Sequence, residues 1–414
     1  MLQRLTELEV DLKSLKSAFE EMAQRARLAA LPDDQETGLK LMYLELSRGG
    51  HSSLARSCVA ENRSSEDSTR GPWRINFHLP DVLFHEDSSA VIRERAICAE
   101  IYRCLCRSGV PFAVHAQKSY APDFYPTEGE IHLTWHTRGL RENTFHVKDA
   151  ELPGLFYIDP YGYSGWAEMS CPETHSAIMK GATIAEIRRS HRALYARYVE
   201  QQESKYKQQK RNFRGRRPYV FFALQTVDDE VMDLANIDML DFLKWVGAVA
   251  KRNSLNLVVK RHPMCDSGRV SDLLKEMESE AHVCVTDASI HEIIPGAEAV
   301  LTVNSGVGLE ALLHLKHVFV AGDASYQSCC HRIDSLAGVE HFPDVLAQPV
   351  NDRDIMQFLH LLSTVHLYDV EHSERTIRRI RSLAFPKQDR WCSKPPQHTP
   401  PRGVDPQVHA CGDL

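Results

Sequence analysis

The stretch Leu255-Asn256-Leu257-Val258-Val259-Lys260-Arg261-His262-Pro263 decides the fold. Its apolar run is too short for a helix, is rich in β-branched residues and is stopped by a proline, so it predicts a buried strand with polar groups at its carboxyl end. Helical periodicity flanks it, from Met239 to Arg252 before and from Val270 to Glu280 after. The alternation continues outward. A strand is predicted at Tyr219 to Leu224, then Val283 to Thr286, a short helix at Ile290 to Ile294, a strand at Ala299 to Val303, a helix at Val307 to Leu315 and a strand at Val318 to Ala321. Strands separated by helices are βαβ units of a parallel, doubly wound sheet, which takes ligands at the carboxyl ends of its strands. Asp354 to Thr364 and Ser373 to Leu383 add two helices, so residues 218–385 read as a Rossmann-like domain.

Upstream, the pattern mixes strands (Arg74 to Leu79, Pro111 to His115, Ile131 to His136, Leu155 to Ile158) with helices (Ser89 to Ser108, Ile184 to about Gln209). Residues 33–217 therefore read as a second α/β domain, of underivable strand order. Before it, Leu5, Leu8, Leu12, Leu15, Phe19 and Met22 alternate spacings of three and four, a heptad seam that predicts an amphipathic helix over residues 1–32. The seam through residues 5–22 serves either self-association or a partner helix, or packing on its own domain. The Pro-rich residues 386–414 read as a disordered tail.

The 414 residues are 43% apolar, enough for real cores, and 49 Lys plus Arg against 56 Asp plus Glu leave a net charge of -7. Such a field repels polyanions, which argues against a nucleic-acid binder. The 11 cysteines lack metal-ligand spacing and read as free thiols in a reducing cytoplasm. Neither a signal peptide nor a bilayer-length apolar run is seen. The expected location is cytoplasmic, free or peripheral to the inner face of the inner membrane. The basic run Lys205, Lys207, Lys210, Arg211, Arg214, Arg216 and Arg217 reads as a solvated linker or as a patch for an anionic surface or acceptor.

Four strand ends carry the candidate chemistry. Lys260, Arg261, His262 and Pro263 place cations and an imidazole in the expected crevice, where an anion is the natural partner. Asn304, Ser305, Gly306 and Gly308 form a small-residue turn between strand and helix whose amides can approach a phosphate, and Glu310 follows where a ribose diol could donate to it. This turn is neither a dinucleotide fingerprint nor a Walker loop. Gln225 to Glu230 brings Asp228, Asp229 and Glu230 to the end of the first strand of that sheet. Asp159, Tyr161, Tyr163, Ser164 and Trp166 combine a carboxylate with aromatic planes of the kind sugar rings dock against. Each has a plainer reading, as a solvated strand end, an acidic helix start or a structural aromatic loop.

Taken together, Gln225 to Glu230, Lys260 to Pro263, Val303 to Leu313 with Val318 to Tyr326, and Asp159 to Trp166 resemble the retaining β-Kdo transferases of capsule and lipopolysaccharide O-antigen synthesis. The His-Pro pair and the Asn304-Ser305 motif are also similar to nucleotide motifs of bacterial sialyltransferases. The resemblance implies a GT-B-like α/β fold of two Rossmann-like domains facing a cleft, CMP-β-Kdo as donor and a bacterial glycan as acceptor. By the same resemblance, Asp229 in Gln225-x-x-x-Asp229 is the nucleophile, His262 and Ser305 hold the CMP phosphate, and Lys260 or Arg261 sits near the phosphate or the Kdo carboxylate. Retention fits a double displacement through a carboxylate. Asp159 is then the candidate base for the acceptor hydroxyl, and Tyr161, Tyr163, Ser164 and Trp166 the acceptor contacts. No cofactor or metal is expected if cationic side chains and the helix dipole neutralise the phosphate. The alternatives are a CMP-sialic acid or other nonulosonate transferase, and a noncatalytic polysaccharide-binding or export component on the same scaffold.

Overall fold

The computed structural model describes residues 73–80, 89–117, 124–171 and 182–385. The heptad seam and the Pro-rich tail lie outside these residues. Those described fall into two compact units. Of the described residues, the first holds those up to 137, 141–149 and 368–385; the second holds 138–140 and those between 150 and 367.

In the first unit β1 (Arg74–Pro80), β2 (Phe112–Gln117), β3 (Glu130–Trp135) and β4 (Thr144–Asp149) form a parallel ladder in the order β4-β3-β1-β2. Helix α1 (Ser89–Ser108) connects β1 to β2, over the span expected from the sequence. β4 was not expected. His146 and Lys148 mask the strand pattern, and both are paired: His146 Nδ1 lies 2.6 Å from Thr137 Oγ1, and Lys148 meets Asp149 at 2.9 Å and Glu94 at 3.3 Å.

Within the second unit β5 (Leu155–Asp159) and helix α2 (Ile184–Leu194) precede a six-stranded parallel sheet. That sheet comprises β6 (Tyr219–Ala223), β7 (Asn256–Lys260), β8 (Val283–Val285), β9 (Ala299–Thr302), β10 (His317–Val320) and β11 (His331–Arg332), in the order β11-β10-β9-β6-β7-β8. Renumbered from its first strand this is 6-5-4-1-2-3, the Rossmann arrangement, with the topological switch between β6 and β9. Tyr219, Phe221, Val300 and Val320 enter one apolar core, while Val220, Phe222, Leu301 and Phe319 enter another. Burial on both faces explains why these strands read as unbroken apolar runs.

The crossovers are helices α3 (Met239–Arg252), α4 (Gly268–Glu278), α5 (Ile290–Ile293) and α6 (Val307–Leu313); α7 (Phe342–Leu346) and α8 (Asp352–Leu361) follow. Asp238 caps α3 by accepting from the amides of Leu240 and Asp241 at 2.9 and 3.1 Å. The last helix, α9 (Ser373–Ala384), returns to the first unit, where Arg381 donates to the Ser108 carbonyl at the end of α1 at 2.9 Å.

Two differences from the sequence reading matter for the site. Residues 150–171 and 182–200, read from sequence as part of the N-terminal domain, pack within the second unit: the Tyr198 hydroxyl donates to the Pro153 carbonyl at 2.9 Å and Ser190 meets His360 at 2.8 Å. The helix expected to reach Gln209 instead passes through a π turn at Tyr195–Glu200 and stops, with Gln202 left-handed at φ 56°. Residues 204–209 leave as a strap whose Gln209 bridges to Ala288 beside the end of β8.

Candidate functional site

The carboxyl ends of β9, β6 and β7 lie side by side, which brings together three of the four motifs. Thr302 fastens the switch point itself: its hydroxyl donates to the Ala223 carbonyl at 2.9 Å and accepts the Ser305 amide at 3.1 Å. The turn that follows is shaped by close contact. The Tyr326 hydroxyl donates to the Ser305 carbonyl, and a Cβ on Gly308 would come within 2.6 Å of the Tyr326 ring. Only glycine fits at that position.

At the end of β7, His262 Nδ1 lies 2.8 Å from Thr226 Oγ1 and accepts the Met264 amide at 3.2 Å. The Tyr206 ring meets the imidazole edge-on at 4.9 Å. Burial pushes His262 down to about 4, with the Asp229 charge opposing the fall and Lys205 adding to it. The imidazole is therefore neutral near pH 7, with Nδ1 as acceptor and its proton on Nε2. Pro263 is exposed in the turn.

Lys260 and the terminal nitrogens of Arg261 are engaged elsewhere. Lys260 Nζ donates to the carbonyls of Ala288 at 2.5 Å and Asp287 at 3.5 Å and to Gln208 Oε1 at 2.9 Å, which ties the strap to the sheet end; burial lowers its proton affinity. Arg261 donates to Ser271 Oγ and the Ser267 carbonyl, both at 2.9 Å, at the start of α4. Glu310 is buried beneath the strap, accepts from Ser204 at 2.8 Å, and is pushed by burial up to about 7. Ser204 also meets His291 Nε2 at 2.8 Å.

Asp229 stands exposed at the head of a 3-10 turn, Glu230–Leu234, and caps it by accepting the Val231 amide on Oδ1 at 3.2 Å. Asn304 reaches across the switch point and donates to the Val231 carbonyl at 2.6 Å, while its buried Oδ1 has no partner. Asp228 lines a groove with Met232, Ile237, Met239, Leu240 and Arg269.

The fourth motif joins the others through Glu230. The Tyr163 hydroxyl donates to Glu230 Oε2 at 2.8 Å, and Arg138, 4.0 Å above the Trp166 ring, donates to the same oxygen at 2.6 Å. Tyr161, Tyr163 and Ser164 are buried, and Trp166 is half-buried under Arg138. Both Asp159 oxygens accept loop amides: Oδ1 takes Tyr161 at 2.8 Å and Gly162 at 3.1 Å, and Oδ2 takes Glu168 at 2.9 Å. Burial raises Asp159 to about 7 against these bonds.

Thr226, Ser204, Tyr206, Gln208 and Arg138 thus belong to the site without having been singled out by sequence reasoning, and Glu230, named there only as one of three neighbouring acids, joins them. A hydroxyl within the Gln225–Glu230 loop was a readable signal for Thr226; the others depend on contacts between distant segments. For a cation, Asp369, Glu371 and His372 are the trio with suitably close ligand atoms among the described residues; they lie in the first unit and bond to one another. None of them is a predicted site residue. Among the described residues no helix is long and apolar enough to cross a membrane.

The chain is mixed α/β with two parallel sheets, the second in the Rossmann order. Residues 169–330, which include the three strand-end motifs of the second sheet, match the family model described as capsule polysaccharide biosynthesis protein. Comparison with curated proteins finds no match. Solved structures similar to the chain include two from Thermosulfurimonas dismutans. One, titled KpsC, beta Kdo 2,4 transferase, is 16% identical with a TM-score of 0.42, over 62% of this chain and 85% of that one. The other, titled KpsC, beta Kdo 2,7 transferase, is 14% identical with a TM-score of 0.43, over 74% and 99%. A UDP-GlcNAc 2-epimerase from Methanocaldococcus jannaschii is 10% identical with a TM-score of 0.32, over 76% and 100%.

Proposed function

We propose that the chain is a glycosyltransferase that moves Kdo from CMP-β-Kdo to a bacterial surface glycan with retention, by two displacements through a covalent Asp229 intermediate. The observation that carries this reading is the 2.8 Å approach of Thr226 Oγ1 to His262 Nδ1, which ties the loop leading to Asp229 to the end of the neighbouring strand. On this reading a nucleophile and a leaving-group partner stand beside the turn of small residues at the switch point.

In this mechanism Asp229 attacks the anomeric carbon as CMP departs. His262 offers Nε2–H to the leaving phosphate, and the amides of the Ser305–Gly308 turn supply further donors. Lys260, Arg261 and Glu310, whose charged atoms are held by Gln208, Ser267, Ser271 and Ser204, frame the site and fix the strap. An acceptor hydroxyl, giving up its proton to Asp159 as the proposed base, then opens the adduct from the face that CMP vacated, with Asp229 as leaving carboxylate, restoring the β configuration. No metal enters this scheme.

A nucleotide panel tests it. CMP should raise the melting temperature while UDP and GDP do not, and CMP-Kdo should be hydrolysed slowly without acceptor. Stabilisation by UDP alone would sink the donor assignment, and binding of CMP-Kdo without turnover would point to a noncatalytic role.

A further inference from the structure

Glu230, next in sequence to Asp229, collects two side chains from distant parts of the chain. Its Oε2 accepts from Tyr163 at 2.8 Å and from Arg138 at 2.6 Å, and the second terminal nitrogen of Arg138 donates to Asp233 Oδ2 at 3.1 Å. The turn that Asp229 heads is therefore gripped at its first and fourth residues by one guanidinium, which itself lies on Trp166. From the sheet side Asn304 holds the Val231 carbonyl at 2.6 Å. Asp229 Oδ1 is committed to the Val231 amide, whereas Oδ2 has no hydrogen-bond partner among the described residues.

We propose that Glu230, with Tyr163 and Arg138, is a positioning residue that holds the Asp229 carboxylate in its attacking orientation, and that the aromatic loop is the mount of the nucleophile. This rests on the reading of Asp229 given above. An exposed carboxylate on a short turn would otherwise sample several rotamers, and misplacement of a reacting group by about 1 Å can cost about 100-fold in rate. The latch also answers a charge problem. Asp228, Asp229, Glu230 and Asp233 crowd one short segment, and Arg138 neutralises the two that flank the turn without touching Asp229. Arginine suits this task because its planar fork serves two carboxylates while its face stacks on an indole.

Exposed ion pairs contribute little to stability, typically about 0–1 kcal/mol. A purely structural latch would therefore leave turnover alone, and a positioning latch would not. With CMP-Kdo as donor, Glu230→Ala should lower kcat by about 10- to 100-fold while donor KM stays within about twofold. Glu230→Gln, whose carbonyl still accepts from the phenol, should recover most of that loss. Tyr163→Phe, which removes one hydroxyl and no volume to speak of, should fall between them and serves if Glu230→Ala does not fold. Full-rate Glu230→Ala and Tyr163→Phe beside an active wild type would overturn the latch alone. A loss of kcat matched by a fall in melting temperature and a rise in KM would overturn it too, as a folding effect. A wild type that neither turns over CMP-Kdo nor forms an adduct would overturn the Asp229 reading and the latch together.

Discussion

Thr226 Oγ1 lies 2.8 Å from His262 Nδ1, across neighbouring strand ends. The Met264 amide reaches the same nitrogen, so Nδ1 is an acceptor and the Nε2 proton is the one available to a ligand. The Thr226 hydroxyl and the Met264 amide thus set which nitrogen of the imidazole carries the proton. His262→Ala should lower transfer by about two orders of magnitude, because one well-placed donor at a leaving oxyanion is typically worth about 2.7–4 kcal/mol. Thr226→Val should cost less, about three- to tenfold, since the Met264 amide still biases the tautomer. Near-normal turnover by His262→Ala would remove the imidazole from the mechanism.

Asp159 separates two roles in one experiment. Asparagine keeps one acceptor oxygen but turns an NH2 group toward an amide donor, leaving a buried clash worth about 1–3 kcal/mol. If the carboxylate chiefly shapes its loop, Asp159→Asn should lower the melting temperature by several degrees and reduce kcat only in proportion to the folded fraction. Unchanged melting with kcat lost would instead make Asp159 the acceptor base.

The strand ends were readable because chemistry and periodicity coincide there: an apolar run stops and Lys260, Arg261, His262 and Pro263 begin. What those side chains do was not readable. Lys260 and Arg261 look like ligand cations in sequence, yet their partners are Gln208, 52 residues away, and Ser271, ten residues on, in a different element. Nor could sequence join the aromatic loop to Asp229, because Tyr163 and Glu230 are 67 positions apart and each has a plausible local role. β4 was hidden for a related reason: His146 and Lys148 look exposed until their partners are known. Local patterns carry the elements, whereas long-range polar pairing appears only once the chain is folded.

Stability should depend on pH in a way that buried imidazoles dominate. Burial pushes His78 down to about 3 and His132, His262 and His314 to about 4. Unfolded, each takes a proton near 6.5, so this stability is intact above that pH and is lost as pH falls toward the folded values. Asp159 and Glu310, raised to about 7, act oppositely: their contribution is complete below about 4 and is lost as pH rises toward 7. Four groups outweigh two, so the melting temperature should climb from about pH 4 to about pH 6.5. His78→Phe should flatten that climb. Glu310→Gln should gain on wild type as pH rises from 4.5 to 8. A melting temperature that falls over the acid window would show that the imidazoles are solvated or paired in solution.

The most exposed prediction concerns the adduct. Asp229 offers a partnerless Oδ2 at the switch point, and its loss should leave the nucleotide turn around Ser305 untouched. Asp229→Ala should therefore abolish transfer while CMP still stabilises the protein against heat, since the missing carboxylate acts on the anomeric carbon and not on the nucleotide. Wild-type protein given CMP-Kdo without acceptor should carry one Kdo by mass spectrometry, on a peptide that includes residue 229. Asp228→Asn is the control, because Asp228 lines the adjoining groove and its replacement removes a neighbouring charge while keeping the side chain's shape. A dead Asp228→Asn with an active Asp229→Ala would move the nucleophile by one position. Both variants active would remove the covalent step, and product of inverted configuration from wild type would leave a single displacement as the mechanism.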